Sequence, residues 1–164
     1  MLVIIFGLPG TGKSFFGEKL SKHLDWEYIN SDRIRHALNL RGKYEASDKK
    51  KVYEAIFQKA KELLGRNKNI ILDATFSDHK QLAEAKELAY NMGKEIKLIE
   101  MKADEQTIKE RISKKRKYSE AGFDIYEKIK NEFDPIKEPH LVLVSSNNSV
   151  HKLLEKAKQY LFHE

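Results

Sequence analysis

With 164 residues and an apolar fraction of 40%, the chain can bury one core unaided, and having no cysteine it excludes disulfide frameworks, thiolate metal sites and cysteine nucleophiles. The formal charge of +6 fits an anionic partner, although Lys interleaved with Glu through the helix-period segments is the pattern of solvated helix faces. No stretch approaches the roughly 18 to 20 apolar residues of a bilayer span, so no membrane association and a cytoplasmic setting are expected, and no segment calls for an obligate protein partner.

The first apolar run, residues 2–6, reads as a strand and leads into Gly7-Leu8-Pro9-Gly10-Thr11-Gly12-Lys13-Ser14. This is G-x-x-x-x-G-K-[ST] between a strand and a helix that runs to about residue 24. Glycines at this spacing let successive backbone N–H groups turn toward a phosphate at a helix N-terminus. Lys13 is placed to reach the β- and γ-phosphates, and the Ser14 hydroxyl to complete a Mg²⁺ shell. ATP contacts are therefore expected at Gly7, Pro9, Gly10, Thr11, Gly12, Lys13, Ser14 and Phe15.

A second strand over 27–30 is followed by Ser31-Asp32-Arg33-Ile34-Arg35 at the head of a helix over 31–38. Asp32 is a candidate to accept the proton of an attacking hydroxyl, and Arg35, one turn on, to hold an anionic acceptor or Asp32 itself. A Ser-Asp pair here also serves as a plain helix cap. Residues 42–47 read as a loop, and a helix over 48–64 opens at Asp48 as its cap and closes on Gly65. Tyr53 and Phe57 on that helix have core spacing, whereas Tyr44 in the loop is open to a stacking role.

The third strand, 69–73, ends Leu72-Asp73-Ala74-Thr75-Phe76. Asp73 stands where an acidic group would support Mg²⁺ or orient the acceptor; a loop-capping role is the alternative. ATP-hydrolysing motors often place glutamate directly after such an aspartate to activate water. Ala74 stands there instead, which favours transfer to an acceptor. Asn67-Lys68-Asn69-Ile70 lacks the aspartate of a guanine-reading motif.

Helices are expected over 78–91, capped by Asp78 and closed by Gly93, then 104–114, 122–133 and 149–162, the last capped by Ser149, with strands at 95–101 and 140–144 between them. Arg111 and Arg116 lie where a helix enters a loop, positions suited to a lid over the triphosphate at about 111–124. The loop 145–148 is a candidate for adenine contact or a simple turn, and His36 and His79 have no partner at metal-ligand spacing. Alternation of strands and helices predicts a single α/β domain over 1–164, a parallel sheet covered on both faces.

The phosphate loop, Ser31-Asp32 with Arg35, the Leu72–Phe76 run, the arginine-bearing loop and Phe133-Asp134-Pro135-Ile136 together resemble the P-loop kinases related to polynucleotide 5′-hydroxyl kinases, zeta-type toxins and chloramphenicol phosphotransferase. The resemblance implies ATP as donor, a five-stranded P-loop sheet, Asp32 as general base, Arg35 on the acceptor side, and Arg111 with Lys115 or Arg116 in the lid. It leaves the hydroxyl-bearing acceptor open, either a polynucleotide 5′ end or a small molecule. A nucleotide-binding switch or slow ATPase is the competing class.

Overall fold

The computed structural model describes residues 1–114, 122–146 and 148–162. In chain order the elements are β1 (Leu2–Phe6), α1 (Lys13–Leu24), β2 (Glu27–Asn30), α2 (Ser31–Ala37), α3 (Ala46–Gly65), β3 (Ile70–Asp73), α4 (His79–Asn91), β4 (Ile96–Lys102), α5 (Glu105–Ser113), α6 (Phe123–Glu132), β5 (Leu141–Val144) and α7 (Val150–Phe162). All five strands are parallel, in the order β2-β3-β1-β4-β5. Among the described residues no helix is long and apolar enough to cross a membrane.

The sheet forms because its central strands are apolar on both sides. Every residue of β1 is fully buried. Leu2, Ile4 and Phe6 pack with Val52, Ile56 and Ala60 of α3 and Leu82 and Ala85 of α4. Val3 and Ile5, one residue out of phase, pack with Phe16 and Leu20 of α1 and Leu153, Ala157 and Leu161 of α7. Two-sided burial of a continuous apolar run is what a central parallel strand requires. The segment after α6 completes the first layer: Ile136 joins that core, and the Asp134 amide donates to the Ser77 carbonyl at 3.0 Å.

Two cap expectations are corrected. Helix α3 begins before Asp48, with Glu45 as the capping residue, so Asp48 lies in the first turn and favours the helix dipole rather than closing the N-terminus. Gly65 is the last helical residue, and the left-handed position that ends the turn falls on Asn67 (φ 61°), a residue type that tolerates it. Asp78 does cap α4 by accepting from the Lys80 amide, and Gly93 takes φ 61° after it. Tyr53 is buried in the core, its ring edge-on to Phe76 at 5.5 Å.

Candidate active site

Because the strands are parallel, their carboxyl ends gather on one edge, and the polar residues picked from sequence collect there around a cavity of about 520 Å³. Its lining includes Lys13, Ser14, Asp32, Arg35, Asp73 and Arg111. The phosphate loop leaves β1 at Gly7, whose φ of +134° and close approach to β4 admit no side chain: a Cβ would sit 2.4 Å from the Met101 carbonyl oxygen. Within the loop the Leu8 carbonyl accepts from both Thr11 Oγ1 (2.8 Å) and Lys13 Nζ (2.9 Å). Pro9, Gly10, Gly12 and Ser14 line the cavity, and the exposed ring of Phe15 stands beside them.

At the loop's helix end, four residues form one network. Asp73, 1% exposed, accepts on Oδ2 from the Tyr28 hydroxyl at 2.6 Å and from Asn30 Nδ2 at 2.7 Å. The same Asn30 amide lies 3.1 Å from Ser14 Oγ, while its Oδ1 accepts from the Arg33 amide and caps α2. Sheet register brings this about: Tyr28 is paired with Ile71 and Asn30 with Asp73, so alternate residues of β2 and β3 point to the α1 face. Burial, reinforced by the Asp73 charge, pushes the Tyr28 phenol well above its ordinary range, so it remains a donor.

Asp73 is thus a buried carboxylate with no cationic partner among the described residues, next to the phosphate loop's hydroxyl. That fits a divalent cation. No group of three or more His, Asp or Glu that could hold a metal occurs among the described residues, so a cation here would be shared with phosphate oxygens and water.

Neither Tyr28 nor Asn30 was picked out from the sequence. Their spacing of two at the end of a strand, matched to Asp73 on the neighbouring strand, was the available signal. A second signal was Gly17 inside α1. A Cβ there would lie 2.8 Å from Tyr28 Cε2 and 3.4 Å from Tyr28 Oη, so the glycine makes the notch the phenol ring occupies. Gly17→Ala should therefore destabilise the protein by about 1–3 kcal/mol despite its better helix propensity. Thermal denaturation of the variant checks this; an unchanged or raised midpoint would mean that the ring moves aside freely.

On α2, Arg35 Nη1 donates to Asp32 Oδ1 at 3.1 Å, and its guanidinium lies over the Tyr44 ring, 4.6 Å from the centroid. Tyr44 is therefore stacked by Arg35 on one face. The Tyr53 hydroxyl accepts from the buried amide of Phe76, which adopts φ 50°, a costly conformation for a non-glycine residue that fixes the loop 75–77 lining the cavity.

A model of the AAA domain family matches residues 2–136. The chain belongs to this family. As an AAA domain it is 30% identical over 100 residues to uncharacterized proteins of Mycobacterium tuberculosis and Mycobacterium bovis, an overlap covering 54% of this chain and 20% of theirs. It thus spans about a fifth of the length of these relatives. Among solved structures it is similar in fold to the Mycobacterium tuberculosis APS kinase CysC bound to AMPPNP and APS, with TM-score 0.74, 19% identity, and 98% and 96% of the two chains covered. It is similarly like Chaetomium thermophilum Kti12 in complex with ADP-AlF3 (TM-score 0.73, 15% identity, 97% and 98% covered) and a Sinorhizobium meliloti gluconokinase (0.70, 14%, 99% and 97%). The five-stranded parallel α/β arrangement expected from sequence is the one found, and these structures share its fold.

Arg111, also predicted from sequence, lines the same cavity and is bonded to the phosphate loop. Its Nη1 donates to the Gly10 carbonyl (3.2 Å) and to Ser145 Oγ (2.7 Å), and Ser145 donates in turn to the Thr11 carbonyl (2.7 Å). Helix α5 is aimed there by Asp104, whose carboxyl is held below the usual range by bonds from the Thr107 amide and hydroxyl and whose amide donates to Ser146 Oγ. Arg111 thus ties the end of α5 to the phosphate loop and to Ser145 after β5. Lys115 and Arg116 lie outside the described residues. His79 faces Asp134 at 4.0 Å.

Proposed function

We propose that this protein is an ATP-dependent kinase that transfers the γ-phosphate to a hydroxyl of an acceptor, within the group related to polynucleotide 5′-hydroxyl kinases, zeta-type toxins and chloramphenicol phosphotransferase. The observation that carries the reading is that one cavity is lined by two chemically distinct groups of residues, Lys13, Ser14 and Asp73 and the Asp32–Arg35 pair. ATP-hydrolysing motors often carry a water-activating glutamate directly after such an aspartate, and the buried Ala74 in that place favours transfer to an acceptor. The complexes of APS kinase with AMPPNP and of Kti12 with ADP-AlF3 support a nucleotide at the corresponding loop here. The reading takes 1–164 as one kinase domain with its lid at about 111–124, and the cysteine-free composition suits a cytoplasmic setting.

In this reading the phosphate-loop amides and Lys13 bind the β- and γ-phosphates and offset the charge that develops between them. Bound Mg²⁺ would supply further charge neutralisation, with Ser14 and Asp73 on its coordination side and Asn30 and Tyr28 fixing both. Asp32 orients the acceptor hydroxyl in line with the γ-phosphorus. As the new O–P bond forms, the bond to the β-phosphate oxygen breaks, ADP leaves, and the hydroxyl proton passes to Asp32. Arg35 holds that carboxylate in place. Arg111, tied to Ser145, serves the nucleotide rather than the acceptor.

The test is γ-labelled ATP with Mg²⁺ and a panel of 5′-hydroxyl oligonucleotides, nucleosides, sugars and aminoglycosides, with Lys13→Ala as control. Label on one acceptor class, absent in the control, is the expected result. Label released only as free phosphate, or intact ATP retained stoichiometrically, would replace the kinase with an ATPase or a nucleotide switch.

A further inference from the structure

Two carbonyls of the phosphate loop are bonded by residues from distant parts of the chain. The Leu8 carbonyl keeps its partners within the loop and α1, and the Gly12 carbonyl accepts the Phe16 amide at 3.0 Å. Between them, the Gly10 carbonyl is bonded by Arg111 and the Thr11 carbonyl by Ser145, 101 and 134 positions further along the chain. The chemistry of the groups fixes the direction of these bonds. A guanidinium only donates, so Arg111 Nη1, 2.7 Å from Ser145 Oγ, occupies a lone pair of that hydroxyl. The single hydroxyl proton is then directed at the Thr11 carbonyl, 2.7 Å away. Thr11 is 3% exposed, so without Ser145 this carbonyl loses its partner where bulk water scarcely reaches.

The consequence lies on the other side of each peptide plane. In a planar trans peptide the N–H points opposite to the C=O. A Gly10 carbonyl drawn to Arg111 therefore turns the Thr11 amide the other way, and a Thr11 carbonyl drawn to Ser145 does the same for the Gly12 amide. An anion-binding loop needs this arrangement, with N–H groups converging on the anion and carbonyls turned from it. Gly10 and Gly12, at φ +81° and +91°, make the conformation accessible without selecting it, because glycine reaches many others as readily. The outside bonds select it. Ser145 is itself anchored by the sheet: its amide donates to the Lys102 carbonyl at 2.8 Å, and the neighbouring Ser146 Oγ accepts the Asp104 amide.

We propose that Ser145 is a positioning residue for the phosphate loop: its hydroxyl, oriented by Arg111, holds the Thr11 carbonyl so that the loop's amides are ordered for phosphate before the nucleotide arrives. The proposal rests on the nucleotide-binding reading of the loop. It also separates Ser145 from base recognition, the role that the 145–148 loop offers from sequence. Without the hydroxyl the nucleotide must order the loop as it binds, and its affinity falls by the fraction of time the loop spends in other conformations.

The experiment compares two ligands that share phosphates and differ in the base. Binding of a non-hydrolysable ATP analogue and of inorganic tripolyphosphate, each with Mg²⁺, is measured by calorimetry well below the melting transition of every variant. Ser145→Ala should weaken both by the same factor, about fivefold to tenfold, and Ser145→Thr, which keeps the hydroxyl, should recover most of the loss. Spectra of ¹⁵N–¹H pairs in the nucleotide-free protein supply a readout that needs no ligand. The Thr11 and Gly12 amide resonances should shift or broaden in Ser145→Ala and return in Ser145→Thr, while those of β1 and β3 stay in place as proof of an intact fold. Weaker binding of the analogue with tripolyphosphate binding intact would make Ser145 a base contact and overturn the proposal. Wild-type affinity for both ligands in Ser145→Ala, or undisturbed Thr11 and Gly12 resonances, would overturn it as well. Wild-type protein that binds neither ligand would remove the nucleotide reading, and the ligand-free spectra would still decide whether Ser145 orders the loop.

Discussion

Asp32→Asn is expected to lower kcat by about 10²–10⁴-fold while the protein still binds a non-hydrolysable ATP analogue with Mg²⁺. The amide oxygen of asparagine can go on accepting from Arg35 Nη1, so the pair that now sits at 3.1 Å keeps its geometry. What disappears is the negative charge and the capacity to take a proton. Because Asp32 lines the cavity with a side chain that is 27% exposed, the loss of its charge beside buried Arg35 also costs some stability, discounted by solvent screening. Calorimetric titration with the analogue separates the two effects: unchanged affinity with collapsed turnover assigns the loss to the chemical step. Turnover within about tenfold of wild type would remove Asp32 as the proton acceptor and leave it as a helix-start residue that pairs with Arg35.

The sequence carried the fold well because each element announces itself locally. An apolar run as short as Leu2–Phe6 that leads into a glycine motif reads as a buried strand, and the phosphate-loop pattern marked where that strand ends and α1 begins. The boundaries that were misplaced, at Asp48 and Gly65, are those where several residues compete for a cap and tertiary packing chooses among them. The site was legible only in part, for a related reason. Lys13, Ser14, Asp32, Arg35 and Asp73 belong to linear motifs, whereas Tyr28 and Asn30 matter only because β2 lies beside β3 in a register that pairs Asn30 with Asp73. Strand order is a non-local property, and nothing in the spacing of residues 27–30 states which strand lies next to them. The position of Arg111 was equally hidden: a cation at a helix end reads as a lid, but its bond to Ser145 depends on where β5 delivers that serine.

The Tyr28–Asn30–Asp73 network leads to the second large effect. Asp73→Asn should reduce turnover by about 10²–10³-fold, because the substitution removes a buried negative charge close to Ser14 and replaces it with an amide that binds magnesium poorly. Tyr28→Phe is the sharper probe. It keeps the ring in the notch above Gly17 and deletes a single 2.6 Å bond to a charged acceptor, a contact worth about 1.5–3 kcal/mol. With Asn30 still holding the same oxygen, the carboxylate is loosened rather than lost. The Mg²⁺ concentration for half-maximal activity should therefore rise severalfold, and Mn²⁺ bound with the ATP analogue should show the same weakening by electron paramagnetic resonance, a readout independent of turnover. The pH dependence of stability reports the buried phenol, whose burial and whose neighbour Asp73 act in the same direction. The phenol's ionisation is pushed above its ordinary value of about 10, so the contribution is complete below that pH and falls away only as pH rises beyond it, toward the folded-state value. Wild-type stability should thus decline above about pH 10 more steeply than that of Tyr28→Phe, and the two should run parallel at neutral pH. If the variant matches wild type in Mn²⁺ binding, Tyr28 is filler for the Gly17 notch, and Asn30 alone orients Asp73.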